Sequence, residues 1–158
     1  MKALRFFSSL DGRIGRKTFW LLSVAVLVAQ FLAIFVAELV AVMLSPETSS
    51  ITDWWAELVI IAGFYPQFVI DVKRGHDRNI SFWVIGVFYA VIIVRYVLIL
   101  LGWLVRWPQQ AVFSAKDVSS FIAIMIVGIA SIALFIELGF RRGTIGPNQY
   151  GPDPLASR

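Results

Sequence analysis

Three short polar segments hold nearly all the side chains in this sequence that could do chemistry. They are Asp11-Gly12-Arg13-Ile14-Gly15-Arg16-Lys17-Thr18-Phe19-Trp20, then Lys73-Arg74-Gly75-His76-Asp77-Arg78-Asn79-Ile80-Ser81-Phe82-Trp83, then Gly143-Thr144-Ile145-Gly146-Pro147-Asn148-Gln149-Tyr150-Gly151-Pro152-Asp153-Pro154. His76 is the only histidine. Its ordinary titration lies near neutral pH, which suits a general base or a metal ligand. Zinc takes three or four protein ligands. With one histidine and no cysteine, the others would be carboxylates such as Asp71 and Asp77, so neither a metal nor another cofactor is expected. Adjacent residues rarely turn both side chains toward one reacting atom, so no catalytic residue is assigned at His76 and Asp77. Their expected roles are structural: Asp77 neutralises Arg74 or Arg16, and His76 caps or packs a helix end.

The elements that must hold these segments are not those of a soluble domain. Of 158 residues, 59% are apolar and 15% charged, against roughly 45–50% and about 25% in soluble proteins. Mean hydropathy is +0.80. About 93 apolar residues exceed what a soluble domain of this size hides, since it buries only about 70% of its chain surface. Four windows reach or approach the ~20 apolar helical residues that a bilayer requires: 19–44, 56–72, 82–105 and 118–140. The second contains Pro66, which is expected to interrupt it. The first is longer than the ~7–15 apolar residues of a secretory signal and lacks an Ala-x-Ala exit, so it is expected to persist as a helix. The expected fold is one all-α integral membrane domain with four transmembrane helices and a Gly/Pro-rich tail over 143–158.

Orientation follows from lysine and arginine, which are retained on the cytoplasmic side. Residues 1–18, 73–81 and the tail carry eleven of them, the loop 106–117 carries two and the loop 45–55 none. Both termini are therefore expected in the cytoplasm. The net charge of +4 follows from that topology, and no nucleic-acid partner is expected. Tryptophan favours the headgroup level, and the expected boundaries place Trp20 and Trp83 at the cytoplasmic face and Trp54, Trp55, Trp103 and Trp107 at the outer one.

Ala25, Ala29, Ala33, Ala37 and Ala41 recur every fourth residue, a smooth stripe on which another helix, from the same chain or a second copy, could pack closely. Gln30 and Glu38 lie beside it. Arg95 is the one cation well inside a span, where it costs about 2.5–3.5 kcal/mol. Such a residue is expected to face a partner within the bundle. Glu38 is the best acidic candidate, with Gln30 nearer in depth.

Taken together, the three polar segments resemble a bacterial inner-membrane family, domain of unknown function 805. Its members begin with Gly-Arg-x-x-Arg-x-x-Phe-Trp, carry Arg-Arg-Leu-His-Asp ahead of Ser-Gly-Trp, and end in Gly-x-x-Gly-x-Asn-x-Tyr-Gly-x-Asp-Pro. Gly12, Arg13, Arg16, Phe19 and Trp20 match the first pattern, and Arg74, His76, Asp77, Ser81 and Trp83 the second. Gly143, Gly146, Asn148, Tyr150, Gly151, Asp153 and Pro154 match the third. Lys73, Gly75 and Phe82 depart from it. The resemblance implies a small multi-pass inner-membrane protein with no assigned reaction.

The expected topology puts all three segments on one face, where turns at Gly146-Pro147-Asn148 and Gly151-Pro152-Asp153 could fold Tyr150 against the helix ends. The functional expectation is a non-enzymatic module embedded in the lipid bilayer. Its cytoplasmic cluster of Arg13, Arg16, Trp20, Arg74, His76, Asp77, Ser81, Trp83, Asn148 and Tyr150 would bind anionic lipid headgroups or a protein partner. The alternative is a small oligomeric transporter or channel-like protein that uses Arg95 and Glu38, with the alanine stripe as its contact between copies. A membrane enzyme acting on a lipid-linked substrate through His76 and Asp77 has the least support.

Overall fold

The computed structural model describes residues 6–44, 49–101, 103–104 and 115–156. These form four helices: α1 (Arg16–Leu44), α2 (Ser49–Asp77), α3 (Phe82–Leu100) and α4 (Ala115–Gly139). The stretches Arg16–Val40, Phe82–Ile99 and Asp117–Gly139 are each long and apolar enough to cross a membrane. Their side chains mostly face outward, and Leu21, Phe31, Val87 and Ile129 are all more than three-fifths exposed. A surface this apolar calls for lipid as its solvent.

Helix α2 packs against each of the other three. Its last nine residues, Val69 to Asp77, are all buried. The helix differs from expectation in three ways, the first being that it begins at Ser49, seven residues ahead of the expected start at 56. It runs unbroken through Pro66, as membrane helices can when their neighbours and local adjustment accommodate the missing donor. It also continues past the expected end at residue 72, so Lys73, Arg74, His76 and Asp77 occupy its final turns rather than a loop. The polar side chains there have partners from both ends of the chain, and basic groups suit the negative end of a helix dipole. Helix α3 ends at Leu100, five residues short of the expected boundary. Trp107 and the side chains of Ala41, Trp54 and Trp55 lie outside the described residues.

Helix α1 meets α2 along Phe19, Ser23, Val26 and Gln30, spaced four, three and four residues apart as a continuous helix seam requires. Gln67 Nε2 donates to Ser23 Oγ at 3.1 Å, and Gln30 Nε2 donates to the carbonyls of Val59 and Ile60 at 3.4 Å each. The alanine stripe is not that seam. Each four-residue step turns about 40° around a helix, so the stripe crosses the packed face and leaves it: Ala33 and Ala37 are half-buried, whereas Ala25 and Ala29 are exposed. Glu38 is exposed and Arg95 half-buried, and the described ion pairs do not join them. Their helices explain this, because α1 packs on α2 and α4 but scarcely touches α3.

A Cβ at Gly63 would overlap the Gln30 side chain, so this is where α1 and α2 come closest around a polar group. Gly63→Leu is expected to destabilise the protein by about 1–3 kcal/mol through overpacking. Thermal unfolding in detergent measures it, and adding Gln30→Ala should recover part of the loss, since the two side chains compete for one space.

Candidate functional site

The site forms where α2 ends. Asn79 adopts φ 58°, Ile80 N–H donates to Gly75 O at 2.8 Å and Asn79 N–H to His76 O at 3.1 Å, which is the Schellman arrangement that stops a helix. Ser81 then caps α3 by accepting from the backbone N–H of Trp83 at 3.4 Å. This tight turn fixes the direction in which the last residues of α2 point.

Arg74 is fully buried. Its Nη1 donates to Asp77 Oδ2, one helical turn further on. Arg13, from the segment before α1, reaches the other oxygen of the same carboxylate, with Nη2 2.9 Å and Nε 3.2 Å from Asp77 Oδ1. Side-chain exposure is 1% for Arg13 and 6% for Asp77. Two buried cations thus share one anion, an arrangement that further polar contacts must compensate. Six carbonyls do so. Arg13 donates to those of Thr144, Gly146 and Gly151 at 2.8, 2.8 and 3.2 Å. Arg74 donates to those of Leu138, Arg141 and Ile14 at 2.7, 2.6 and 3.5 Å.

The carbonyls at the end of α4 have no partners within their own helix, and the first two polar segments supply them. Leu138 and Arg141 accept from Arg74, as above. Gly139 accepts from Trp20 Nε1 at 3.1 Å, Phe140 from Arg16 at 3.3 Å, and Arg142 from Arg78. Arg78 also pairs with Glu137 at 2.7 Å. Five successive carbonyls are therefore held by side chains of α1 and of the α2 end.

The tail then folds back across Asp77. Gly143 lies so close that a Cβ there would collide with the carboxylate, and Thr144 N–H donates to Asp77 O at 2.7 Å. Asn148 Nδ2 donates to His76 O at 2.9 Å and to Thr144 Oγ1 at 3.0 Å. An isolated bridge between Asn148 and Gly151 turns Tyr150 onto the His76 ring, with centroids 3.8 Å apart and planes inclined by 2°. The other side of the imidazole is tied to the first segment, its Nδ1 lying 3.2 Å from Gly12 O. Burial holds the His76 pKa below its ordinary 6.5, with the Gly12 carbonyl and Asp11 pulling it partly back.

Arg13, Arg74, His76, Asp77, Asn148 and Tyr150 thus converge as the sequence suggested. Trp20 and Arg16 sit beside them on the end of α4, Ser81 acts only as a cap, and Trp83 is 69% exposed and points away. Asp77 neutralises both Arg74 and Arg13, whereas Arg16 binds a carbonyl. Asp77 and Asp71 do not share a site: Asp71 accepts from Tyr89 Oη at 2.7 Å and Gln67 Nε2 at 2.8 Å. Among the described residues no group of three or more His, Asp or Glu could hold a metal. Sequence reasoning passed over Thr144, and it passed over the Ser23, Gln67, Asp71 and Tyr89 group. The four-residue spacing of Gln67 and Asp71 on one helical face was the available signal for that group.

These features define a small α-helical membrane protein whose two terminal segments are locked onto one end of its helices. The chain belongs to the family described as Protein of unknown function (DUF805), whose model matches residues 7–152. It is 24% identical over 156 residues to the uncharacterized protein YiiR of Escherichia coli strain K12, covering 97% of this chain and 90% of that one. The YiiR of Escherichia coli O157:H7 matches with the same identity and coverage. No solved structure matches.

Removing the shared anion would leave two buried guanidinium groups uncompensated. Asp77→Asn, which preserves size, is expected to cost about 3–5 kcal/mol and to release residues 143–156 to limited proteolysis. Thermal unfolding and mass mapping of the fragments measure both effects.

The folded state binds fewer protons at His76 than the unfolded chain does. Its contribution is thus complete above the ordinary value of about 6.5 and declines as pH falls below it toward the lowered folded value. Unfolding midpoints should drop between about pH 7 and pH 5, and His76→Asn should flatten that slope.

Proposed function

We propose that the chain is a non-enzymatic, four-span protein of the bacterial inner membrane, with both termini in the cytoplasm, whose locked end binds anionic lipid headgroups. The division of labour among its basic residues carries this reading. Arg13 and Arg74 are buried and committed to Asp77 and to backbone carbonyls, and both oxygens of Asp77 are taken in turn. Arg16, Lys17 and Arg142 are exposed. They border two adjoining pockets of about 220 and 170 Å³ that share Gly15, Arg16 and Leu155, beside the start of α1. A helix start offers free N–H groups to an anion. Asp153 also lines the larger pocket, but its oxygens accept from Gly146 N–H at 3.0 Å and Leu155 N–H at 2.9 Å. The eleven-to-two distribution of lysine and arginine supports the orientation. The transporter alternative has less support, because Glu38 and Arg95 lie on helices that scarcely touch.

Native mass spectrometry with phosphatidylglycerol and phosphatidylcholine tests the proposal. The wild type should retain phosphatidylglycerol preferentially. Lys17→Gln and Arg142→Gln together, side chains outside the lock, should lower that retention by about 1 kcal/mol per cation removed while leaving the fold intact. Equal retention of the two lipids, or unchanged retention in the double variant, refutes it.

A further inference from the structure

Between the four helices lies a cavity of about 640 Å³ to which every helix contributes. Phe31 of α1, Phe64 of α2, Phe88 of α3 and Phe135 of α4 all line it. The wall also includes Asp71, its single ionisable acid and its only formally charged side chain. Asp71 is only 7% exposed. Tyr89 Oη and Gln67 Nε2 each donate to one of its oxygens, at 2.7 and 2.8 Å, and Gln67 Nε2 also donates to Ser23 Oγ at 3.1 Å. A carboxylate offers about four lone-pair sites, so these two bonds leave acceptor capacity over. The described ion pairs give Asp71 no cationic partner.

An apolar hollow with one acceptor-only acid in its wall selects strongly among membrane-soluble molecules. A fatty carboxylate or a phosphate would place like charge beside Asp71, and a plain hydrocarbon would leave the remaining lone pairs without donors. A carboxylate at such a site is neutralised by a proton or by a cation. Phenylalanine faces attract cations as well, most strongly away from water. We propose that this cavity binds an apolar organic cation, a hydrocarbon or aromatic body carrying one ammonium group, with the charge at Asp71 and the body among the four phenylalanines. The site is separate from the headgroup pockets: it opens between the helices, and its charge has the opposite sign.

Three ligands with one chain and different heads, namely dodecylammonium, dodecanol and dodecanoate, test the proposal on the full chain in phosphatidylcholine nanodiscs. Saturable binding of labelled dodecylammonium is measured against empty nanodiscs, with the other two as competitors. The ammonium should bind tightest, the alcohol about ten-fold more weakly, equivalent to 1.4 kcal/mol, and the carboxylate not detectably. Asp71→Asn, which keeps the size and polarity of the group, should lower ammonium binding about ten-fold and leave dodecanol unchanged. If the three ligands compete equally, or Asp71→Asn binds the ammonium like wild type, the cavity is an acyl-chain groove only and the proposal fails. Should Asp71→Asn not fold, Ser131→Phe serves as the second variant. Ser131 lines the cavity and bonds only within its own helix, to Val127 O at 2.7 Å, so the larger ring must reduce ammonium binding, and undiminished binding also overturns the proposal.

Discussion

Arg74 is the side chain on which the arrangement of this protein depends. Its guanidinium donates to Asp77 on its own helix, to Leu138 and Arg141 at the end of α4, and to Ile14 ahead of α1. Within lipid, apolar side chains gain little from leaving one helix surface for another, because the surrounding tails are equally apolar. The broad faces of α1, α3 and α4 remain exposed for the same reason. What fixes the helices relative to one another is polar chemistry at one end. There the unpartnered carbonyls of α4 need donors, and a buried guanidinium supplies several in a rigid fork. Lysine carries a charge but no fork, and could not serve two separated carbonyls and a carboxylate together.

The order of elements follows from that requirement. The segment before α1 and the tail after α4 are far apart in sequence, yet Arg13 binds Asp77 and three tail carbonyls at once. Asp77 lets two arginines approach each other, and six backbone carbonyls take up the remaining positive field. Gly143 lies where any side chain would displace the carboxylate. Most of the motif residues are therefore parts of a lock, and the side chains of Lys17 and Arg142 stay outside it, exposed.

Much of this was legible in the sequence, and the reasons are specific. Helix positions followed from runs of apolar residues, because a bilayer imposes a length that composition reveals. The meeting of the three polar segments followed from their placement between those runs. Less was legible where one polar residue had to choose among partners. Glu38 was the best acid for Arg95 because it lies in the outer half of a helix running the same way, but that does not say which helices adjoin. The alanine stripe was regular, yet a four-residue repeat drifts around the helix and a packing seam of mixed threes and fours does not. Pro66 suggested an interruption, yet α2 runs on through it, and the first five residues of the loop expected at 73–81 became about a turn and a half more of α2, with their side chains buried.

Asp71 illustrates the remaining difficulty and what the fold does with it. From sequence it was one acid near another, six residues before Asp77, grouped with it only as a carboxylate that an unexpected metal would have needed. A helix turns about 100° per residue, so six residues carry the two carboxylates about 240° apart, onto different faces. One faces the arginines at the end of the bundle and is matched by opposite charge. The other faces the cavity and is met only by a hydroxyl and an amide. A single helix thus separates a structural acid from one with acceptor capacity to spare, and it can do so only because the lock extends α2 beyond the apolar run. Without those last turns Asp77 would sit in a loop and Asp71 at a helix end open to water, where neither burial nor the aromatic walls would act on it.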